Sequence, residues 1–579
     1  VDGIQVGADF ISTDDGQLNK FADWKKAALT YRELPWLKNL NKCDEVYYSG
    51  IPAPSSCLTS ETFVNAGCPH NQYVAFHQRY LKETPNVGKL FMPLLNRIIT
   101  SISNKMAKSL DGEITNCQEQ FSSMRGPLLS RYVKAAKQVT QNGFNAQRDS
   151  KIKTFIKNER YFEFKPPRLI LGRDPKFNLL YNRYVEPLEK AYRSLSCVAL
   201  GRNFLQMGDR LSYMATKCVR FRKNDMSKYE STQRDLALRI EYDINVRAMI
   251  KSGFSDAHID EYTTLFAIKR MKNCVSEGVD VCFEECRGSG DRDTGLGNGQ
   301  INCVATKYDR AVNCCPHGYD CMLELCDCGN FPEEDLDEIL GDDNYSGYLH
   351  DFDEGRYINT YRSFGLDSKI EWCLGVHDVT FCSGIFVEYQ PSKYIYTQDP
   401  VKIIKSLQSV INNEVVERGF LGHYYSSLGY MYEVLYKGLP TLPLLGKYLQ
   451  TCNKRGVFRF DPKMLKGSYI LEQNCKFGGC VSGVYSLSVD RDLALVSMSM
   501  ACGLEVAELT HLEEYYSQAE LVLPIGQFRK RRNQNQKIRE DLQNLCVLVD
   551  LQHPYNGLTK EHKSKLRDLQ NVRHQGKMV

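Results

Sequence analysis

Apolar residues recur at roughly helical spacing from Leu90 to Leu110 and again from about Pro400 onward, where Gly438-Leu439-Pro440-Thr441-Leu442-Pro443 makes a sharp interruption. Between these regions the period shortens. Cys218-Val219-Arg220-Phe221-Arg222-Lys223-Asn224 alternates as a strand does and runs into Asp225, and Ser227 to Ile250 then reads as a helix with Leu236, Leu238, Ile240 and Ile244 among its apolar positions. The prolines of Lys165-Pro166-Pro167-Arg168-Leu169-Ile170 hold the backbone extended, so Arg168 and Ile170 face one side and Leu169 the other. Val379 to Tyr389 predicts a strand with a glycine break at Gly384, in the manner of a hairpin. Residues 1 to about 150 are mixed and mostly helical, broken at Ile51-Pro52-Ala53-Pro54-Ser55-Ser56, with Trp24 and Trp36 as core anchors. A large α+β protein with a strand-rich centre follows.

Composition narrows this picture. Hydrophobic residues are 42% and charged residues 25% of the 579, the balance of a folded protein of about two to four subdomains rather than of a disordered chain. No run of about 18 apolar residues occurs, and Val1-Asp2-Gly3-Ile4 lacks the charged-then-apolar layout of a signal peptide. A soluble, intracellular protein is expected. The chain opens on Val1 and not Met, which leaves open whether it is released from a longer product. The 22 cysteines follow no repeating framework, which in a chain of this size predicts reduced thiols in a reducing cytosol. Net charge is only +4, so affinity for a polyanion has to come from local clustering of basic residues.

Such clustering begins at Lys151. Lys151, Lys153, Lys157, Arg160, Lys165, Arg168, Arg173, Lys176 and Arg183 are interleaved with Phe155, Tyr161, Phe162, Phe164 and Phe177, and planar Arg donors with Lys point charges suit the gripping of phosphates. Asp225, at a strand end before a helix, is a candidate metal ligand. The glycine-rich run Arg287 to Gln300 lacks the Lys-Ser/Thr ending of a phosphate-binding loop; its second half predicts a helix capped by Asp293 or Thr294, with Thr294 and Asn298 one turn apart on one face. In Leu340-Gly341-Asp342-Asp343-Asn344-Tyr345, two acids follow a glycine between apolar flanks, as at a hairpin tip that pushes carboxylates toward a cation. The run before it, Glu333 to Glu338, is too acidic for a long buried strand and predicts a short one. Cys303, Cys314, Cys315, His317, Cys321, Cys326 and Cys328 match no paired zinc-knuckle spacing, so zinc is not expected there. Lys369 lies on a short element within Phe364 to Glu371, and Arg529-Lys530-Arg531-Arg532 reads as a solvated helix end, with an RNA contact or a partner-binding arm as alternatives.

In chain order these are a basic strand, an acid at a strand end, Ser289-Gly290 with Thr294 and Asn298, Gly341-Asp342-Asp343, Lys369 and Phe381-Cys382-Ser383-Gly384. In this the sequence resembles the RNA-dependent RNA polymerases of positive-strand RNA viruses, most closely the tombusvirus-, nodavirus- and flavivirus-like group. Lys157-Asn158-Glu159-Arg160, Lys165 to Ile170 and Arg173 look like that family's NTP-channel motif, Asp225 to Glu230 like its first catalytic motif, and Phe381 to Gly384 like its primer-grip hairpin. The second acid of the first motif is Glu230, where many relatives have Asp.

The resemblance implies a right-hand polymerase: fingers over 1–200, with basic NTP-channel strands at 151–183, and an insertion at 245–286; palm over 201–244 and 287–395, with a small antiparallel sheet; a helical thumb over 396–545; and a basic tail over 546–579. It implies Asp225, Asp342 and Asp343 as ligands of two Mg2+ or Mn2+ ions and Lys369 as a proton donor. Lys157, Arg160, Lys165, Arg168 and Arg173 are implied as triphosphate contacts, and Glu230, Ser289, Thr294 and Asn298 as readers of the ribose. Expected partners are RNA template and product, NTPs and other viral replication proteins, in the host cytoplasm at membrane-associated complexes reached through a partner or a missing segment. A reverse transcriptase and a non-catalytic RNA-binding scaffold are the alternatives; the former usually shows an aromatic-x-Asp-Asp turn where this chain has Leu340-Gly341.

Overall fold

A computed structural model describes residues 27–31, 48–49, 51–80 except 52, 61, 66 and 68, 84–314 except 164, 276–278 and 285, 336–349, 357–410, 415, 420–452, 487–521 and 558–575. Trp24, Trp36, the segment from Cys315 to Cys328, the acids Glu333 to Asp335 and the run Arg529 to Arg532 lie outside the described residues.

The N-terminal stretch contributes β1 (Ala27–Tyr31), β2 (Tyr48–Ser49) and β3 (Phe63–Val64), and the basic region β4 (Ile152–Ile156), β5 (Arg160–Tyr161) and β6 (Leu169–Arg173). Further on come β7 (Arg220–Met226), β8 (Met271–Val275), β9 (Val279–Glu284), β10 (Asp337–Leu340), β11 (Asp343–Tyr348) and β12 (Ser368–Cys373). The last strands are β13 (Thr380–Phe381), β14 (Gly384–Gln390), β15 (Lys393–Gln398) and β16 (Ser409–Val410). They form a five-stranded sheet in the order β1-β9-β8-β4-β6, a four-stranded antiparallel sheet β10-β11-β7-β12, a three-stranded sheet β13-β14-β15, and the pairs β2-β16 and β3-β5. With long helices around these small sheets, the chain is α+β.

The four-stranded sheet lies between two cores. Met226 of β7 and Ile339 of β10 join the core built on the helices Met92–Ala107, Pro175–Tyr192, Asp235–Lys251, Asp256–Arg270 and Thr294–Cys314. Phe221 of β7 and Tyr345 of β11 join the other, which holds the helix Phe204–Ala215, the three-stranded sheet and the C-terminal helices Leu421–Leu435, Leu442–Gln450, Arg491–Cys502 and Val506–Gln518. Strand alternation produces the division, because neighbouring side chains leave opposite faces of the sheet.

One reading of the sequence is corrected by the structure. Ser227 to Ile250 is not one helix: a short helix, Tyr229–Thr232, precedes Asp235–Lys251. The break falls at Gln233, whose fully buried amide donates from Nε2 to Asn298 Oδ1 (2.8 Å) and accepts at Oε1 from Arg287 Nε (3.0 Å), contacts that take its backbone out of the helical region. The strand before the Gly-Asp-Asp turn is short, as expected, but its acids are not in water. Asp337 and Glu338 are buried, Asp337 bonded to Arg310 and Glu338 to Arg202 with Arg210 3.7 Å away. Pairing is what makes a carboxylate tolerable inside a protein; even so, burial outweighs both guanidiniums and pushes Glu338 up to about 7. No disulfide forms among the described cysteines.

A long-range seam joins the beginning of the chain to residues 406–410. β2 pairs with β16, Ile51 N–H donates to Leu407 O (2.8 Å), Gln408 Nε2 donates to Leu58 O (2.7 Å), and Arg160 donates to Ser406 O.

Beneath the four-stranded sheet, Arg222 of β7 is fully buried. Its Nη1 bonds Asp309 Oδ2 at 2.5 Å, and its guanidinium lies 5.6, 5.5 and 5.8 Å from the ring centres of Tyr348, Tyr357 and Tyr361. Arg222→Met strands the Asp309 carboxylate and should cost about 3–5 kcal/mol of stability. Denaturant titration measures it, and adding Asp309→Asn should restore part of the loss; full additivity of the two changes would mean the pair does not couple.

Candidate active site

The antiparallel register places the acids. Lys369 of β12 sits opposite Asp225 of β7, and Asn344 of β11 opposite Asn224. Carrying the second register one residue further sets Asp343 opposite Asp225. Cross-strand neighbours point to the same face, so Asp343, Asp225 and Lys369 form a row across three strands, on the face shared with Phe221 and Tyr345. The connection between β10 and β11 is a two-residue turn, Gly341-Asp342, since Leu340 pairs with Asp343. Gly341 has φ +64°, the conformation such a hairpin asks of its first turn residue, and Asp342 follows at the tip.

Like charge accumulates here. Burial first, then Asp343 and Glu230, push Asp342 up to about 6; its side chain still meets solvent, which moderates the repulsion. Burial and Asp225 also raise Asp343, against hydrogen bonds from the Cys382 thiol and backbone N–H that lower it. Cys382 and Ser383 form the turn between β13 and β14, both with positive φ (48° and 63°), a conformation rare outside glycine. That strained turn holds the donors against Asp343. The carboxylates are all-oxygen donors, the kind that hard divalent cations take. Among the described residues no three His, Cys, Asp or Glu side chains are drawn together as a closed metal cage, so the fit rests on donor chemistry and on anionic charge that a cation would neutralise.

The basic region divides into distinct roles. Arg168 precedes β6 and lies close enough to Glu159, Glu230 and Asp342 for their charges to raise its pKa against partial burial; its Nε is 3.6 Å from Glu159. Lys157 Nζ pairs with Glu159 at 2.8 Å, and Lys165 is exposed, 3.9 Å from Glu163. Arg160 reaches Ser406 O and Tyr424. Arg173 does not face the same space. It shares its strand parity with Leu169 and Leu171, so it points inward, where Nε bonds Asp291 (3.1 Å) and the other nitrogens bond Ser150 O and Lys269 O. The expectation of a phosphate contact at Arg173 is replaced by a buried ion pair.

That pair belongs to a buried cluster under the glycine-rich loop. Asp291 also accepts from Lys272 Nζ (2.5 Å) and Gly288 N–H (3.0 Å); Asp293 accepts from Lys269 Nζ (2.5 Å) and Tyr181 OH (2.7 Å); Glu241 accepts from Arg287 Nη2 (2.5 Å) and Lys269 Nζ (3.0 Å). Asp293 immediately precedes the helix Thr294–Cys314, but these sideways bonds take its carboxylate. Thr294 Oγ1 donates to Gly288 O and Asp291 O, and Leu171 N–H donates to Ser289 O (2.6 Å), so the loop is fixed against β6. Gly290, at φ +114°, leaves no room for a Cβ, which would sit 2.9 Å from Ile170 Cγ2. One turn along the helix, Asn298 is held by Gln233, and its carbonyl accepts from Tyr229 OH (3.0 Å), tying it to the short helix that carries Glu230.

Sequence reading missed Cys382 and Gln233 as contributors. Each lies inside a quoted segment, but only the tertiary contact gives it a partner.

The site is thus an acidic row at a hairpin with the cationic Arg168 near its turn. The chain belongs to the viral RNA-dependent RNA polymerase family, whose model matches residues 70–523. It is 27% identical over 262 residues to the RNA-directed RNA polymerase of groundnut rosette virus (strain MC1), covering 42% of this chain and 30% of the relative. With that of turnip crinkle virus it shares 26% over 269 residues, 43% of this chain and 33% of the relative, and with that of oat chlorotic stunt virus (isolate United Kingdom) 27% over 222 residues, 35% and 30%. The chain spans about a third of the length of these curated relatives.

A raised Asp342 means that the folded, cation-free protein takes up a proton between about pH 4 and about pH 6, so stability falls as pH rises through that window. Asp343→Asn removes one source of the repulsion. In EDTA the variant should melt higher than the wild type at pH 7, with the difference shrinking toward pH 4; a lower melting point at pH 7 would rule out the repulsion.

Proposed function

We propose that the chain is an RNA-directed RNA polymerase, joining nucleoside triphosphates on an RNA template with release of pyrophosphate. The observation that carries this reading is the row Asp343, Asp225 and Lys369, with Asp342 at the turn beside it, in a member of this family. Asp225, Asp342 and Asp343 would hold two Mg2+ or Mn2+ ions. When bound, such ions lower the pKa of the attacking 3′-hydroxyl and neutralise charge on the leaving pyrophosphate. The 3′-hydroxyl releases its proton to solvent water as its oxygen attacks the α-phosphorus, the bond to pyrophosphate breaks, and Lys369 Nζ gives the departing group a proton that solvent later restores. No covalent enzyme intermediate is needed.

Arg168, Lys157 and Lys165 bind the triphosphate, with Arg160 closing the wall toward Ser406 and Tyr424. Glu230, Ser289, Thr294 and Asn298 recognise the ribose 2′-hydroxyl; a site built for that group leaves polar atoms unpaired when a deoxynucleotide enters, so it selects ribonucleotides. The arrangement we favour is a right hand: fingers over 1–200 and 245–286, palm over 201–244 and 287–395, and thumb over 396–545, followed by a tail over 546–579. RNA, NTPs and other viral replication proteins are its partners. No single helix among the described residues is long and apolar enough to cross a membrane; we place replication in the host cytoplasm at membranes reached through a partner or another segment.

Asp342→Asn should lower nucleotide incorporation on a short RNA template by at least about 10³-fold, while affinity for the template, measured by filter binding, stays within about threefold. Robust synthesis by the variant would remove Asp342 from the site, and preference for dNTPs over NTPs in the wild type would point to DNA synthesis. Template affinity should fall with salt at a log–log slope of about −0.7 per phosphate contacted.

A further inference from the structure

The helix Thr294–Cys314 carries polar residues every fourth position: Thr294, Asn298, Asn302 and Thr306. That spacing keeps them on one side of the helix. The first two belong to the ribose-facing set. Asn302 is fully buried and bonds Asn344, which alternates with Asp343 along β11 and so leaves the sheet on the face away from the acidic row. From there its Nδ2 donates to two carbonyls of the hairpin turn, Gly341 O at 3.0 Å and Asp342 O at 3.1 Å. Its amide cannot flip without losing bonds, because Oδ1 accepts from Asn344 Nδ2 (2.6 Å) and Thr306 OH (3.2 Å). Asn344 bonds Thr306 Oγ1 as well (2.9 Å), and Thr306 bonds the Tyr361 hydroxyl (2.9 Å). A buried carbonyl needs a donor, and one donor at each would meet that need. Here a single side-chain amide serves both turn carbonyls, and it is rooted in the helix that also carries Thr294 and Asn298.

We propose that Asn302 is a positioning residue, whose amide fixes the Gly341-Asp342 turn to the helix Thr294–Cys314 so that the Asp342 carboxylate and the ribose-facing residues are set by one rigid element. The inference rests on the polymerase reading for its kinetic consequence, but the geometry of the turn can be probed without turnover. Asn302→Asp keeps the shape and places a carboxylate against both carbonyls; Asn302→Ser keeps a hydroxyl that is too short to span them.

Displacement of a reacting group by about 1 Å costs on the order of 10²-fold in rate. Asn302→Asp should therefore lower kcat for single-nucleotide addition by about 10–100-fold, with the KM for NTP within about threefold. Mn2+ binding to the RNA-free protein, followed by electron paramagnetic resonance, should weaken at least about fivefold, and Asn302→Ser should show smaller effects of the same kind. Folded variants with unchanged kcat and unchanged Mn2+ affinity overturn the proposal. So does a loss confined to the titrated fraction of active sites, which would mark a purely structural role. Failure of both variants to give a melting transition also counts against it. If the wild type makes no RNA, the polymerase reading falls, and the Mn2+ measurement still decides the role of Asn302.

Discussion

Antiparallel pairing on both sides of β7 leaves little freedom in where Asp343, Asp225 and Lys369 point. Once Asn224 is opposite Asn344 and Asp225 opposite Lys369, the three side chains must emerge on one face in a row. A slip of one residue in either register would send one member to the far side of the sheet, among the apolar residues around Ile339 and Met226. The tolerance of the site for error is therefore that of the register, and much of the surrounding structure defends it. Arg222 and Asp309 bind β7 to the long helix from below, Arg310 bonds both Asp337 and the main chain of β11 at Gly347, and Tyr345 meets Phe381 edge-on from above at 5.3 Å between ring centres.

These supports use buried charge where hydrophobic contacts of similar volume would be as stable or more so. The cluster of Arg173, Lys269, Lys272, Glu241, Arg287, Asp291 and Asp293 is the extreme case: all are nearly or wholly inaccessible, and together they join β6, β8, two helices and the glycine-rich loop. An apolar core can repack with its neighbours shifted by fractions of an ångström. An ion cluster with these directional bonds holds one arrangement of the loop, and with it the start of the helix Thr294–Cys314.

The acids, the turn, the glycine-rich loop and Arg168 were legible because each is defined by local sequence: a strand ending in Asp, a Gly before two acids, helical spacing from Thr294 to Asn298. The α+β class was legible from the change of hydrophobic period alone. What failed depended on partners far along the chain. Arg173 belongs to a basic run, yet its parity with Leu169 and Leu171 was visible in the same alternation that assigned Arg168, and the parity was the better guide. The helix break at Gln233 carries no local signal, since no glycine or proline marks it; it comes from Asn298 and Arg287. The acidity of Glu333 to Glu338 predicted the shortness of β10, but the sequence does not display Arg202, Arg210 and Arg310 beside Asp337 and Glu338.

The seam between residues 48–60 and 406–410 bears on how the molecule is made. Its contacts join residues up to 362 positions apart, Tyr48 lying opposite Val410, so closing it confines almost the whole intervening chain, and such long-range closures come late in folding. During synthesis at about 5–20 residues per second, the edge at Tyr48–Ser49 waits on the order of half a minute before its partner strand exists. Until then the N-terminal segment has an exposed strand edge, and a nascent chain of this kind depends on its surroundings to keep that edge unpaired.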